Sequence, residues 1–330
     1  MPVDLKFICH EIDGTLRLTS FLPRHLFGAE DDRNVESLFF AVGFRIAHII
    51  RMDHQEPFED VITREEKVRT WWSLYMIDRW SSAGLNASKQ LSDDIIVPHP
   101  MEQTTFYAIS DANTLADRTD QRAGLWAHMV RLARLFGRFQ DLHQQHADGQ
   151  LQNSGIESYT ARLSGDLRDF FGNLPPDLHV NEESLSSYAS IGLGRDLVAL
   201  HLGLHHYSTL LHFPYLDLDL TGSPNQPAYA AECKRNAAEC KRNAAELSEL
   251  LILANRINGC KPVYFTLAHM TVISSSALLH ELLFGEQTLL ENTRRHPNAN
   301  FEVLVALQQL WPSARMMAGI ILQWCQISLT

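Results

Sequence analysis

Apolar residues recur every three to four positions along nearly the whole chain, and no alternating apolar and polar run long enough for a sheet interrupts them. That spacing predicts an all-α protein. Leu38, Phe39, Val42, Ile46, Ile49 and Ile50 mark the inward face of a first helix, with Asn34 as its N-cap and the polar run 53–56 behind it. Thr63-Arg64-Glu65-Glu66 has capping-box form and opens a second helix through residues 68–80, which Gly84 and Asn86 close. Residues 91–100 carry Pro98 and Pro100, so an extended link follows that helix.

Helical spacing resumes over residues 121–145 and 159–171, halts at Leu174-Pro175-Pro176, and returns as a long, mostly apolar helix over 185–213 that Pro214 stops. Gly192, Gly194 and Gly203 lie inside it. Each weakens a helix by about 1 kcal/mol relative to Ala, which predicts close packing or a local break there. Residues 230–236, Ala-Ala-Glu-Cys-Lys-Arg-Asn, are followed at once by an identical copy at 237–243. Seven residues make almost two turns, so the duplication lengthens a helix while turning its faces by only about 20°. It reads as a tolerated insertion, two copies being too few for a coiled coil. Further helices are expected over 263–284, over 301–310, and from Pro312 through 324.

With 330 residues and 45% hydrophobic positions, the chain can form one large, irregular multi-helix domain with an aromatic-rich core and room for an internal ligand cavity. Its 28 basic residues against 39 acidic ones leave a net charge of −11, which repels a phosphate backbone. Direct nucleic-acid contact by this chain is therefore not expected. Five scattered cysteines without a Cys-x-x-Cys pair suggest neither a disulfide framework nor a zinc knuckle, and no cofactor is implied. The first residues lack the pattern of a signal peptide, and no apolar run reaches the roughly 18 residues a membrane span requires. A soluble, intracellular protein of nucleus or cytoplasm is expected, without a membrane partner.

Sixteen histidines include a dense group at His201, His205, His206 and His212. His201 and His205 share a helical face, yet Leu202 stands where a zinc protease would carry Glu, so no metal site is expected. These rings, with Tyr207, read as core or pocket-lining groups; His143 and His146 read as a solvated helix end. In the run Arg69 to Trp80, Trp72, Tyr75 and Arg79 could line a ligand cavity. The plainer reading buries Trp71, Leu74, Tyr75 and Asp78 on one face, with Asp78 bound to a backbone amide or an arginine. No GxSxG, P-loop, GxGxxG or DxDxDG pattern is found.

Arg-Thr-Trp-Trp-Ser-Leu-Tyr-Met-Ile-Asp-Arg-Trp at 69–80, followed by Ser92-Asp93-Asp94-Ile95 and Pro98-His99-Pro100, resembles the middle homology region of fungal zinc-cluster transcription factors. Residues 200–214, Cys240 with Ala244-Ala245, and Leu310-Trp311-Pro312-Ser313-Ala314-Arg315 resemble later segments of that region in order, over about 35–325. Phe213 replaces the usual arginine before Pro214, Ser92 and Ile96 replace two aspartates of the link, and the family's six-cysteine DNA-binding cluster is missing. The resemblance implies an all-helical regulatory module that responds to a small-molecule ligand or a coregulator protein. Two alternatives stand beside it. One is a freestanding enzyme, a cyclase, isomerase or hydrolase of fungal secondary metabolism, with His201, His205 and Tyr207 as acid, base or hydrogen-bond groups. The other is a dominant-negative dimerisation partner, including a homodimer. Ligand contacts are expected at Trp72, Tyr75, Arg79, His201, His205 and Tyr207.

Overall fold

A computed structural model describes residues 33–56, 58–85, 88–94, 96–109, 123–149, 153–217, 227–284, 290–311, 314–315 and 317–319. The protein is all-α, with no strand among the described residues. Its chain separates into two compact units, Met1–Gln140 and Asp141–Thr330.

In the first unit, α1 (Arg33–Ile49) precedes α2 (Val61–Leu85), an extended strap over 88–101, the short α3 (Gln103–Ala108) and α4 (Leu125–Ala147), whose residues up to Gln140 belong here. The inward face of α1 differs from the expected one. Phe40, Phe44 and Ala47 are buried, while Leu38, Val42 and Ile49 are 63%, 48% and 66% exposed and Ile50 is 46% exposed. Both stripes are apolar at helical spacing; the aromatic one goes inside, where the stacked Phe40 and Phe44 rings join Trp71, Trp72 and Tyr75 in one core. The cap of α2 also moves. Asp60, one turn before Thr63, accepts the Thr63 N–H at 2.9 Å, and the helix begins at Val61. Hydrogen bonds from the Thr63 hydroxyl and backbone hold the Asp60 carboxyl below its ordinary range. Glu65, freed from capping, turns inward. The close of α2 at Leu85 leaves Asn86 outside the described residues.

In the second unit, α5 (Asn153–Gly172) leads through a short 3-10 turn (Pro176–Leu178) to α6 (Glu182–Ser190) and α7 (Gly194–His212); then come α8 (Pro227–Arg256), α9 (Phe265–Phe284) and α10 (Leu290–Leu307). Asn181 caps α6 in a reciprocal capping box with Ser184. The long helix expected over 185–213 is thus two helices. Gly192 sits at φ 81°, a conformation that favours glycine, and turns the chain between them. Gly194 then starts α7 in contact: a Cβ there would lie 2.7 Å from Cys260 Sγ and 3.0 Å from the Ala189 Cα. Both expected consequences of that glycine pair, the break and the close approach, are present.

Helix α7 is the core of this unit, with Leu197, Val198 and Leu200 fully buried. Helix α8 packs along it, and α9 and α10 pack on α8. The duplicated heptads form one continuous helix in α8; the equivalent Cys233 and Cys240 of the two copies face the core, as do Ala237 and, just past the second copy, Ala244. Contrary to the sequence expectation, the 266–284 stretch of α9 is long and apolar enough to cross a membrane, with a mean hydropathy of 1.3. In the structure its small polar groups are spent within the unit: Ser274 donates to the Ala244 carbonyl at 2.8 Å, and Asn300 of α10 donates to Ser275 at 3.1 Å. Helix α10 begins eleven residues before the expected 301 and carries Pro297 inside it. Of the helix expected from Pro312, residues 314–315 and 317–319 are described and helical, and the remainder lies outside the described residues.

Candidate functional site

The six residues expected to contact a ligand fall into two groups, Trp72, Tyr75 and Arg79 in the first unit and His201, His205 and Tyr207 in the second. In the first group the side chains of Glu65, Arg69, Trp72, Asp78 and Arg79 all reach the strap. Glu65 is fully buried and its Oε1 accepts from Arg69 Nε at 2.9 Å and from the Met101 N–H at 2.7 Å. Arg69 in turn donates to the Met101 carbonyl at 2.9 Å and to Gln103 at 2.6 Å, and lies over the Phe106 ring. One turn on, Trp72 donates its indole N–H to the Pro98 carbonyl at 2.7 Å and stacks on His99. Asp78 accepts from the Gln90 and Leu91 N–H groups at 3.0 Å each and pairs with Arg79. That is the plainer of the two readings of Asp78, with both expected partners present.

Arg79 closes the clamp by donating to the Leu91 carbonyl at 2.9 Å and to Asp93 at 2.7 Å, while the Tyr75 hydroxyl donates to the same carboxylate. Burial alone would raise the Asp93 carboxyl, yet these hydrogen bonds from Tyr75 and Arg79 hold it down to about 2. On the α4 side, Gly137 leaves the space that Arg79 fills: a Cβ there would lie 3.0 Å from Nε and 3.1 Å from Cδ. Trp72, Tyr75 and Arg79 are each fully buried. Their polar groups fasten the strap to α2.

The second group borders an open groove of about 660 Å³ within the second unit. A stripe of α7 forms its floor: His201, Leu204, His205, Ser208 and His212, at helical intervals. Leu167, Arg168 and Phe171 of α5 stand on one side, and Glu239, Arg242, Asn243 and Glu246 of α8 on the other. Its size is that of a small-molecule site. Tyr207, one position off the stripe, is buried and does not line the groove. His143 is exposed on α4, and the side chain of His146 lies outside the described residues.

Each imidazole of the floor is held by a protein acceptor. His201 Nε2 donates to the Leu178 carbonyl at 2.7 Å, and burial pushes its pKa down to about 4, so the ring is neutral at pH 7. His205 Nδ1 lies 3.3 Å from Asn243 Oδ1 and 3.2 Å from a Glu246 oxygen. Asn243 donates its amide to the Glu239 carbonyl at 2.9 Å, which fixes its oxygen toward the histidine. Burial lowers the pKa of His205, with Glu246 opposing. At the far end, His212 is brought to about 4 by burial and hydrogen-bonds Asn236, whose amide donates to the Glu232 carbonyl at 3.1 Å. Asn236 and Asn243 are the same position in the two heptads, and His212 and His205 are likewise seven apart on α7. Each copy thus fastens one histidine of the floor, a role invisible until α7 is placed beside α8. Arg242 steadies the wall, donating to Glu246 at 2.7 Å and Glu239 at 2.6 Å. Among the described residues no three His, Cys, Asp or Glu side chains are placed to hold a metal ion.

Comparison with known proteins gives one informative similarity. The chain is 23% identical over 310 residues to an uncharacterized transcriptional regulatory protein of Schizosaccharomyces pombe, an alignment that covers 81% of this chain and 36% of that protein. The chain therefore spans little more than a third of the length of that relative. No family model matches the chain, and no solved structure matches it.

Proposed function

We propose that this chain is the effector-responsive part of a transcription regulator, and that the groove above α7 is where the effector binds. The observation that carries this reading is the similarity along most of the chain to a protein named as a transcriptional regulator, of which the chain corresponds to only part. The agreement in order of the motifs at 69–80, 92–100, 200–214 and 240–245 with the middle homology region of fungal zinc-cluster factors supports it further. DNA contact belongs to a separate portion of such a regulator, because a net charge of −11 does not favour a phosphate backbone. Effector binding then biases the helical units between states that differ in their affinity for it. As part of such a regulator, the chain works in the nucleus.

The groove, rather than the clamp, is assigned the effector because its histidines keep groups that the protein itself does not use, whereas Trp72, Tyr75 and Arg79 are committed to the strap. Tethering the chain to a heterologous DNA-binding module upstream of a reporter tests the reading. Reporter output is expected to differ several-fold from that of the module alone, and to change when His205 is replaced by Phe. Output equal to that of the module alone, from a fusion shown to be intact and nuclear, would overturn it.

A further inference from the structure

We propose, on the reading that the groove is the effector site, that its ligand is an elongated, largely apolar small molecule whose hydroxyl or amine groups donate hydrogen bonds to a row of imidazole nitrogens. His179 Nε2 lies 3.2 Å from the Leu174 carbonyl and His201 Nε2 lies 2.7 Å from the Leu178 carbonyl. A carbonyl oxygen only accepts, so both rings carry their proton on Nε2, and Nδ1 is a bare lone pair. His205 is the mirror case, since Asn243 Oδ1 and the Glu246 carboxylate both accept from Nδ1 and leave Nε2 bare. None of these three nitrogens has a partner among the described residues. His212, 3% exposed, likewise has an Nδ1 without a partner.

Four rings with a bare acceptor nitrogen thus line one groove, three of them on α7 between residues 201 and 212, a span of about 16 Å at the helical rise, with the Nδ1 of His212 itself buried. Burial keeps the rings of His201 and His212 neutral at pH 7, as acceptance requires. Apolar lining is supplied by Leu167, Phe171, Leu204, Leu250 and Leu253, with Ser164 and Ser208 among the polar residues beside them. Arg242 is spent on Glu239 and Glu246, and Arg295 donates to Glu249, while Arg168 and Arg256 also line the groove without a carboxylate partner among the described residues, so an anion competes there with a donor ligand. At the histidine row itself, a ligand that accepts without donating would meet lone pairs with lone pairs.

The test uses the full chain and simple probes. Long-range proton–nitrogen spectra of the imidazole rings are expected to show the Nε2–H tautomer for His179 and His201 and the Nδ1–H tautomer for His205. Resorcinol and benzylamine are then titrated beside 1,3-dimethoxybenzene, which keeps the frame without donors, and benzoate, which reverses the charge. A donor probe is expected to shift the His201 and His205 signals and to bind about tenfold more tightly than dimethoxybenzene, the worth of a hydrogen bond or so. Whichever of resorcinol and benzylamine binds better identifies the donor as hydroxyl or ammonium. His205→Phe keeps the ring shape, removes the acceptor and is expected to weaken the better donor probe about tenfold. Dimethoxybenzene or benzoate binding as well as the donors, or no response of the His201 and His205 signals to either donor, would overturn the proposal. Failure of the regulatory reading looks different: donors bind as expected while the tethered reporter ignores His205→Phe.

Discussion

Two buried polar arrays in this protein rest on similar materials and end differently. Along α2, the carboxylates of Glu65 and Asp78 are met by backbone N–H groups of the strap and by arginines of the same helix. Along α7, His201 and His205 are each met by the protein on one nitrogen only, and both rings line a groove. A polar group completed by its own chain stabilises a fold and offers a visitor nothing. One left half-satisfied beside a cavity is available for recognition, and the desolvation it has already undergone makes the missing bond valuable. Aromatic and charged residues on a helix are therefore a poor guide to a binding site until their partners are counted.

Acid should separate the two arrays most sharply. Burial brings His201 to about 4, His206 to about 3 and His212 to about 4, all below the ordinary 6.5. The unfolded chain binds protons there that the folded one refuses, so their contribution is full above pH 6.5 and is lost as pH falls toward 4 and below. The clamp responds later: Asp93, held at about 2 against an ordinary 3.8, contributes fully above pH 3.8 and is lost only as pH falls toward 2. In the first unit, His99 is lowered in the same direction by burial and by Arg131 and Arg134. Pulse proteolysis at stepwise lower pH, read peptide by peptide, should find cleavage in 194–256 before cleavage in 61–101. The reverse order would contradict the contrast.

Breaking the clamp is the next largest effect. Asp78→Ala strands the Gln90 and Leu91 N–H groups and leaves Arg79 buried without its neighbour, a loss of about 3–5 kcal/mol. Denaturant unfolding followed through Trp71 and Trp72 measures it, and a loss under ~1 kcal/mol would mean the strap is held by packing instead. Gly194→Ala drives a methyl into Cys260 and Ala189 and should cost about 1–3 kcal/mol, seen as a lower melting temperature of the second unit. Trp72→Phe deletes one hydrogen bond, to the Pro98 carbonyl, and should cost about 1 kcal/mol while leaving probe binding in the groove unchanged. A loss of groove binding in that variant would show that the two arrays are not separate.

Much of the fold is legible in the residues themselves. The prolines at 98 and 100 announce the strap, Gly192 and Gly194 announce the turn and the tight start of α7, and Asp78 beside Arg79 announces a buried pair. What fails to show is whatever depends on a neighbour. Helix α1 offers two apolar stripes, and only the presence of Trp71 and Tyr75 selects Phe40 and Phe44. Thr63 has the look of a cap, but Asp60 stands one turn earlier with the better acceptor. His201 and His205 are visible as a pair, while their tautomers are set by carbonyls at 178 and by the side chains of Asn243 and Glu246, distant in sequence. Tyr207 falls outside the groove because it is one residue off the 201, 205, 208, 212 stripe, a distinction of 100° that composition cannot make.

The repeated heptad has a kinetic consequence. Against α7, Asn243 meets His205, Cys240 meets the Thr209 carbonyl and Asn236 meets His212. Sliding α8 by one copy, about 10.5 Å, would bring Asn236 to His205 and Cys233 to Thr209 with the same side chains in the same order. During folding the helix therefore has two registers that begin alike, and the wrong one is a near-degenerate trap. Only the flanks discriminate: Leu247 and Leu251 are fully buried in the native register, and a shift would put Cys240 where Leu247 packs. The correct register is enforced by two leucines beyond the duplication, so refolding of this helical hairpin should slow when either is shortened to Ala, in proportion to the time spent one step out of place.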